Sequence, residues 1–166
     1  MRRLLTILAC VAMLVAAMAA PAAAAKPFTL VTGTFVLFGG WVECTPMGTT
    51  GDELCNGQQF GHYGAPEATG DITGDWLSTW TYVTHPDGSY QGHGTTVCDC
   101  TIDGRIGSFE ASFFVRGSGT APYWVKETVT IIGASGGLEG LSGKGSSAGY
   151  GPSLFQTYAY KIRFTQ

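Results

Sequence analysis

Apolar and polar residues alternate along most of the chain between Phe28 and Phe164. A period of two is typical of β-strands, because successive side chains of a strand point to opposite faces of its sheet. No segment in this range shows the 3.6-residue period of an amphipathic helix. The pattern therefore predicts an all-β protein with about eight strands. The clearest runs place on one face Trp76, Ser78, Trp80 and Tyr82, then Phe109, Ala111, Phe113 and Val115, and finally Leu154, Gln156, Tyr158, Tyr160, Ile162 and Phe164.

Short turn signals separate the predicted strands. The segment His85–Gly88 contains a proline, which presets φ for a turn, and a glycine, which accepts positive φ. Asp103–Gly104 is a second turn signal. Closely spaced turns predict an antiparallel meander, and closing such a sheet into a barrel removes its exposed edges. We therefore predict a single eight-stranded antiparallel barrel, with an interior just wide enough for packed side chains or one small ligand.

One long segment interrupts the alternation. Residues 45–66 are rich in Gly, Thr, Asn, Gln and Pro and show no apolar period. Loops of this length are usually functional or tethered. We predict a disulfide-bearing loop at about residues 44–66, which is either a stapled surface insertion or the cap of a pocket.

The first 25 residues resemble an export signal. Arg2 and Arg3 form a charged start, Leu4–Ala20 is apolar, and Ala23–Ala25 supplies a small-residue cleavage site. The sequence therefore predicts a signal peptide over residues 1–25 and one barrel domain over residues 26–166. The mature protein would be secreted, or periplasmic or extracellular, without stable membrane insertion.

The charge of the predicted mature domain excludes one class of partner. The chain has 9 basic and 12 acidic residues, and both Arg2 and Arg3 lie in the predicted signal peptide, so 9 − 2 = 7 basic residues remain and the net charge is 7 − 12 = −5. Nucleic-acid binding requires clustered Lys and Arg, and no such cluster is present in the sequence. We therefore predict no nucleic-acid partner, and no motif in the chain indicates a cofactor.

Four cysteines remain in the predicted mature domain, an even number that predicts two disulfides in an exported protein. If Cys98 and Cys100 share one strand, their Cα atoms are about 6.6 Å apart. That separation is at the outer limit for a disulfide. We therefore predict two bridges that join Cys44 and Cys55 to Cys98 and Cys100. The spacing matches no zinc pattern, so we predict no metal site.

Five aromatic residues are candidates for lining a ligand cavity, with tyrosine hydroxyls to orient the ligand. The alternative is that they fill the barrel, which a ring of eight strands also permits. The five residues are Trp76, Trp80, Tyr82, Tyr158 and Tyr160.

Glu110 and Glu127 lie at strand positions between apolar neighbours. If they point inward, loss of hydration would raise the pKa of each carboxyl and suit it to ligand binding or proton transfer. The alternative is that they face solvent or pair with an arginine.

Three segments of the chain resemble a known family when taken in order. They are Gly70–Gly74, Asp103–Phe109 and the glycine-rich segment Gly133–Gly145. Together they resemble small bacterial proteins with an allene-oxide-cyclase-like barrel, most of which belong to a domain of unknown function. The glycine-rich segment is also similar to its counterpart in plant allene oxide cyclases and dirigent proteins. The paired-cysteine segment Cys44–Pro66 departs from the bacterial members.

The resemblance implies an eight-stranded, lipocalin-like barrel of calycin-like type, often with an apolar cavity. Some of these relatives cyclise reactive small molecules and others guide radical coupling. The shared motifs are structural, so they imply a fold and no catalytic residue. We therefore expect an exported barrel that binds a small hydrophobic molecule in its interior. The alternatives are a cyclase or isomerase acting on a small apolar substrate, and a secreted structural or interaction protein with a filled barrel, which an exposed aromatic patch around Trp41 or Phe60 would favour.

Overall fold

The computed structural model describes residues 26–64, 69–151 and 155–165. The predicted signal peptide, together with Pro66 and Leu154, lies outside the described residues. The strands are β1 (Thr29–Met47), β2 (Asp52–Tyr63), β3 (Ile72–Thr84), β4 (Ser89–Ile102), β5 (Arg105–Ser118), β6 (Trp124–Gly136), β7 (Leu141–Tyr150) and β8 (Phe155–Phe164).

Each strand pairs antiparallel with the next, and β8 returns to pair with β1, so the sheet closes into a barrel. This topology confirms the predicted all-β chain of eight antiparallel strands. The predicted turns also form: Gly88 donates a backbone hydrogen bond to His85 at 2.8 Å, and both residues of Asp103–Gly104 have positive φ. Among residues 26–64, 69–151 and 155–165, no helix is long and apolar enough to cross a membrane.

The predicted loop over residues 44–66 is wrong, because β1 continues to Met47 and β2 occupies Asp52–Tyr63. The apolar period is missing here because two inward positions of β2 are glycines. Gly57 lies opposite Trp80 and Gly61 lies opposite Trp76 on β3. A Cβ at either glycine would collide with the indole ring of its partner. β2 therefore makes room for two tryptophans instead of contributing apolar side chains.

On the other strands, the alternation of residues in the sequence identifies which side chains point into the barrel. We call the end with the β1–β2, β3–β4 and β5–β6 turns the mouth, and the end with the β4–β5 and β6–β7 turns the floor. The floor is closed by Leu138 in the β6–β7 turn, which is 0% exposed. Buried residues at and above the floor include Val31, Ile72, Cys100, Ile102, Phe109, Leu141 and Ile162.

The wall of the barrel is less complete towards the mouth. β1 pairs with β8 from Thr29 to Val36, and with β2 from Phe35 to Met47. A register shift between Leu37 and Gly39 bends β1 at the point where the pairing changes sides. In the described part of the chain, the mouth half of β1 is therefore bonded on one side only, and the interior opens towards this end.

The predicted disulfide connectivity is wrong. Cys44 and Cys55 face each other across β1 and β2 and are joined, with a Cα–Cα distance of 4.0 Å. On β3, Tyr82 lies opposite Cys55 and Trp76 lies opposite Cys98, and six residues of strand span about 20 Å. The predicted long-range bridges therefore cannot form.

The other two cysteines meet each other inside the barrel. Cys98 and Cys100 both point inward from β4, and their Sγ atoms are in contact. Their Cα atoms are 5.4 Å apart, shorter than the separation expected for a fully extended strand. This distance lies within the range that a disulfide spans.

Candidate functional site

A cavity of about 240 Å³ lies in the mouth half of the barrel. Its volume equals that of about eight water molecules at liquid density. We call it the mouth cavity. A smaller pocket of about 20 Å³ continues below it and shares three of its residues, and the interior beyond is filled by side chains. The mouth cavity is lined by Gln59, Trp80, Tyr82, Tyr90, Phe113, Val115, Val125, Glu127 and Gln156.

One wall of the mouth cavity is aromatic. Trp80 and Tyr82 are two residues apart on β3 and therefore share a face, with ring centroids 4.5 Å apart. Tyr90 on β4 continues the wall, 5.3 Å from the Tyr82 ring. Phe113 adds a fourth ring from β5. Burial raises the pKa of Tyr90 to about 12, with smaller contributions from Glu127 and Tyr82, so its phenol is neutral at physiological pH.

Glu127 on β6 supplies a carboxyl group to the opposite side of the cavity. Ser147 lies directly opposite it on β7, and the Ser147 hydroxyl donates a hydrogen bond to Glu127 Oε2. Burial raises the pKa of the Glu127 carboxyl above its ordinary value of 4.5, and the Ser147 hydrogen bond opposes part of this rise. No lysine, arginine or histidine is among the groups that shift this pKa. The carboxyl therefore faces the cavity without a basic partner.

A second polar atom beside the cavity lacks a partner. Gln156 points inward from β8, and its Oε1 is buried without a hydrogen-bond partner in the described part of the protein. Because Oε1 is an acceptor only, it can be satisfied by a donor placed in the cavity. The mouth cavity therefore combines an apolar wall with two acceptor groups, Glu127 and Gln156.

The tyrosines below the cavity fill the barrel. Tyr158 accepts a hydrogen bond from the backbone N–H of Ile72 at 2.9 Å, and the hydroxyls of Tyr63 and Tyr160 are 3.2 Å apart. Burial raises the pKa of Tyr63, Tyr158 and Tyr160, so all three remain neutral. Tyr160 reaches the small lower pocket, and none of the three lines the mouth cavity.

The structure separates the other predicted site residues into three groups. Trp80, Tyr82 and Glu127 line the mouth cavity. Trp76 lies deeper, packed edge-on against Phe35 with centroids 5.5 Å apart. Glu110 is exposed on the outer face of β5, because the neighbouring Phe109 and Ala111 point inward. The prediction of an inward Glu110 is therefore wrong.

The contributors to the site that were not predicted as site residues include Tyr90, Gln156 and Ser147. Tyr90 has the same parity on its strand as the inward Cys98 and Cys100, which was a usable signal. Gln156 shares a predicted face with Tyr158 and Tyr160. Ser147 continues the inward parity of the glycine-rich strand β7, but its contact with Glu127 depends on the β6–β7 register, which the sequence does not specify.

A larger depression of about 780 Å³ lies on the outer face of the sheet, beside Trp41 and Phe114 and over a surface rich in threonine. It is open to solvent. Next to it is an exposed apolar strip formed by Phe38, Phe60, Leu77 and Val97. We place the candidate site in the mouth cavity because there a cavity of appreciable volume meets a buried carboxyl without a basic partner.

Within the described ranges, one group of three potential metal ligands occurs. Atoms of Cys44, Glu53 and Cys55 lie within 4.8 Å of one another. Because the two sulfurs are joined in a disulfide, they are not available as thiolate ligands. The group therefore offers a metal only the carboxylate of Glu53 in this state.

Comparison with known proteins gives information about the fold only. No protein-family model matches the sequence, and no curated protein matches it. Solved structures with a similar fold exist. One of them is the crystal structure of a protein of unknown function from the DUF3224 family of Shewanella oneidensis MR-1, with a TM-score of 0.60 and 17% sequence identity. The match covers 84% of this chain and 99% of that chain. Identity this low supports a common fold and gives no information about a common function.

Proposed function

We propose that this protein is an exported barrel that binds a small, largely apolar organic molecule in the mouth cavity. One observation carries the proposal: four aromatic rings line a cavity of about 240 Å³ that also contains a carboxyl group without a basic partner. Ligand pockets commonly combine an apolar lining with a few polar groups that fix orientation.

Packing considerations support this proposal. Protein interiors are close-packed, and apolar side chains would fill this space at no electrostatic cost. Glu127 and Gln156 instead place polar groups beside the cavity, where loss of hydration is costly unless a partner is supplied. Hydrogen bonds from a bound molecule to both groups would offset this loss of hydration.

We further propose that the fold is an allene-oxide-cyclase-like barrel of calycin-like type. The glycine-rich connection from β6 to β7, which contains the buried Leu138, supports this assignment. Export is supported by the charged and apolar N-terminal segment of the sequence and by the paired Cys44 and Cys55.

Filling the cavity tests the proposal. Val125 lines the mouth cavity from β6, whereas Thr128 lies on the outer face of the same strand. We expect a hydrophobic fluorescent probe to bind the wild-type protein and the Thr128→Phe control equally, and to lose at least tenfold in affinity for Val125→Phe. Circular dichroism would verify that both variants are folded. Absence of probe binding to the wild type, or equal binding to Val125→Phe, would contradict the proposal.

A cyclase or isomerase activity is the first alternative. Glu127 favours it, because burial raises the pKa of its carboxyl towards the range in which general acids and bases work. A Glu127→Gln variant that still binds a substrate but no longer converts it would support a cyclase or isomerase reaction at this site. Equal conversion by the variant would exclude Glu127 as its acid or base.

An interaction protein is the second alternative, and the outer apolar strip is the observation that favours it. Phe60 is 49% exposed and lies beside Leu77, which pairs with Val97 on the next strand. Analytical ultracentrifugation of the wild type and a Phe60→Ser/Leu77→Ser variant would test self-association through this strip. A monomeric wild-type protein would count against such an interface.

A further inference from the structure

We infer that the ligand of the mouth cavity carries a small organic cation, a protonated amine that retains at least one N–H. This inference rests on the proposed function and specifies the chemical class of its ligand. Three features of the cavity support it: its aromatic wall, its charge and its unsatisfied acceptors.

The aromatic wall is suited to a cation. Trp80, Tyr82 and Tyr90 form a continuous row of rings with centroid separations of 4.5 and 5.3 Å. The face of an aromatic ring attracts cations through its quadrupole, and tryptophan and tyrosine do so most strongly. Aliphatic side chains would also bind a purely apolar ligand, whereas aromatic rings attract positive charge in addition.

The charge of the cavity also favours a cation. Glu127 faces the cavity, and the groups that act on its pKa include no basic side chain. A buried carboxylate is stabilised only when a counter-charge or several hydrogen bonds accompany it. Glu53 adds negative potential near the rim, since it contributes to the raised pKa of Tyr82. A cation inside the mouth cavity would therefore supply the counter-charge that the chain does not.

The unsatisfied acceptors specify the form of the cation. Gln156 Oε1 is buried without a partner in the part of the chain that the structure describes, and Glu127 has a second carboxylate oxygen besides the one bonded to Ser147. An ammonium group with N–H bonds can donate to both residues, whereas a quaternary ammonium group cannot. The volume of about 240 Å³ limits the ligand to a compact head with a short apolar body.

Two probes of nearly equal shape test the inference. Cyclohexylamine is protonated at about pH 8, and cyclohexanol is its neutral counterpart. We expect isothermal titration of the wild-type protein at this pH to give an affinity at least tenfold higher for cyclohexylamine. We expect Glu127→Gln to remove this preference for the amine, and Glu110→Gln, a matched change on the outer face, to leave both affinities unchanged.

The possible outcomes separate the inference from the proposed function. If cyclohexanol and a hydrophobic probe bind but cyclohexylamine has no advantage, the inference is wrong and the proposed function stands. If no probe binds, both are wrong. A preference for the amine that persists in Glu127→Gln would also overturn the inference. Should Glu127→Gln fail to fold, the wild-type comparison still decides, and Tyr82→Leu provides a second variant in which we expect the preference to fall.

Discussion

Gly57 on β2 lies directly opposite Trp80 on β3, and the Trp80 indole occupies the space that a side chain at residue 57 would need. The pair shows how the barrel obtains an aromatic wall at the mouth. The large ring fits because its neighbour in the sheet has no side chain.

We expect Gly57→Ala to be destabilising, because the new methyl group must displace the Trp80 ring. Inserting a methyl group into a packed interior costs about 1–3 kcal/mol. Urea unfolding monitored by tryptophan fluorescence would measure the loss. The matched control is Gly133→Ala, where the nearest atom to an added Cβ is 4.0 Å away. A wild-type stability for Gly57→Ala would show that Trp80 does not occupy this position.

Burial of Glu127 makes the stability of the protein depend on pH. Its pKa is raised in the folded state, so the folded protein binds this proton more tightly than the unfolded chain does. The contribution of Glu127 to the free energy of unfolding is therefore fully present below the unfolded pKa of about 4.5 and is lost as pH rises through the folded value. The groups facing Glu127 are Ser147, Tyr63, Tyr90 and Tyr160, none of which titrates near neutral pH.

We expect Glu127→Gln to remove this contribution, because the amide has the same shape and no charge. Thermal unfolding between about pH 4 and pH 8 would then show a smaller decline for the variant than for the wild type. Glu110→Gln serves as the control, since Glu110 is exposed on the outer face of β5. Parallel pH profiles for the wild type and Glu127→Gln would contradict the placement of this carboxyl inside the barrel.

Removing the partner of Glu127 should destabilise the protein. Ser147 is buried and donates its hydroxyl to the carboxyl, so Ser147→Ala leaves an acceptor with one hydrogen bond fewer. We expect a loss of about 1–3 kcal/mol in the free energy of unfolding, and a further rise in the pKa of Glu127. Ser146→Ala is the control, because Ser146 is exposed on the other face of β7. The carboxyl pKa can be followed by NMR titration.

The cysteine pairs give a prediction about connectivity. Proteolysis of the unreduced protein should yield a peptide pair joined through Cys44 and Cys55, and reduction of both pairs should add about four hydrogens to the intact mass. Peptides that join Cys55 to Cys98 or Cys100 would contradict the structure. We expect Cys44→Ser/Cys55→Ser to lower the stability by about 3 kcal/mol, the chain-entropy value for a loop of this size.

The sequence pattern was informative where a strand had one apolar and one polar face. The faces carrying Trp80 on β3 and Phe113 on β5 were identified from parity alone, and both residues point inward. β2 was not predicted as a strand because its inward residues include Gly57 and Gly61, which carry no apolar signal. These glycines instead leave space for tryptophans on β3.

The site was harder to predict than the fold for a related reason. Parity distinguishes Glu127 from Glu110 once the apolar neighbours are assigned to the inside, but it cannot give the position of a residue along the barrel axis. Tyr158 and Tyr82 both point inward, yet one lies in the packed interior and the other at the mouth cavity. The pairing of Ser147 with Glu127 likewise depends on register between strands, which is fixed only by the assembled sheet.

Closure of the floor by Leu138 gives the chamber a blind end. A ligand of the proposed kind would have to enter head first and leave through the same opening. Any long tail attached to that head would trail out through the entrance into water. One end of such a ligand would be bound in the cavity, while its other end would remain accessible from solvent.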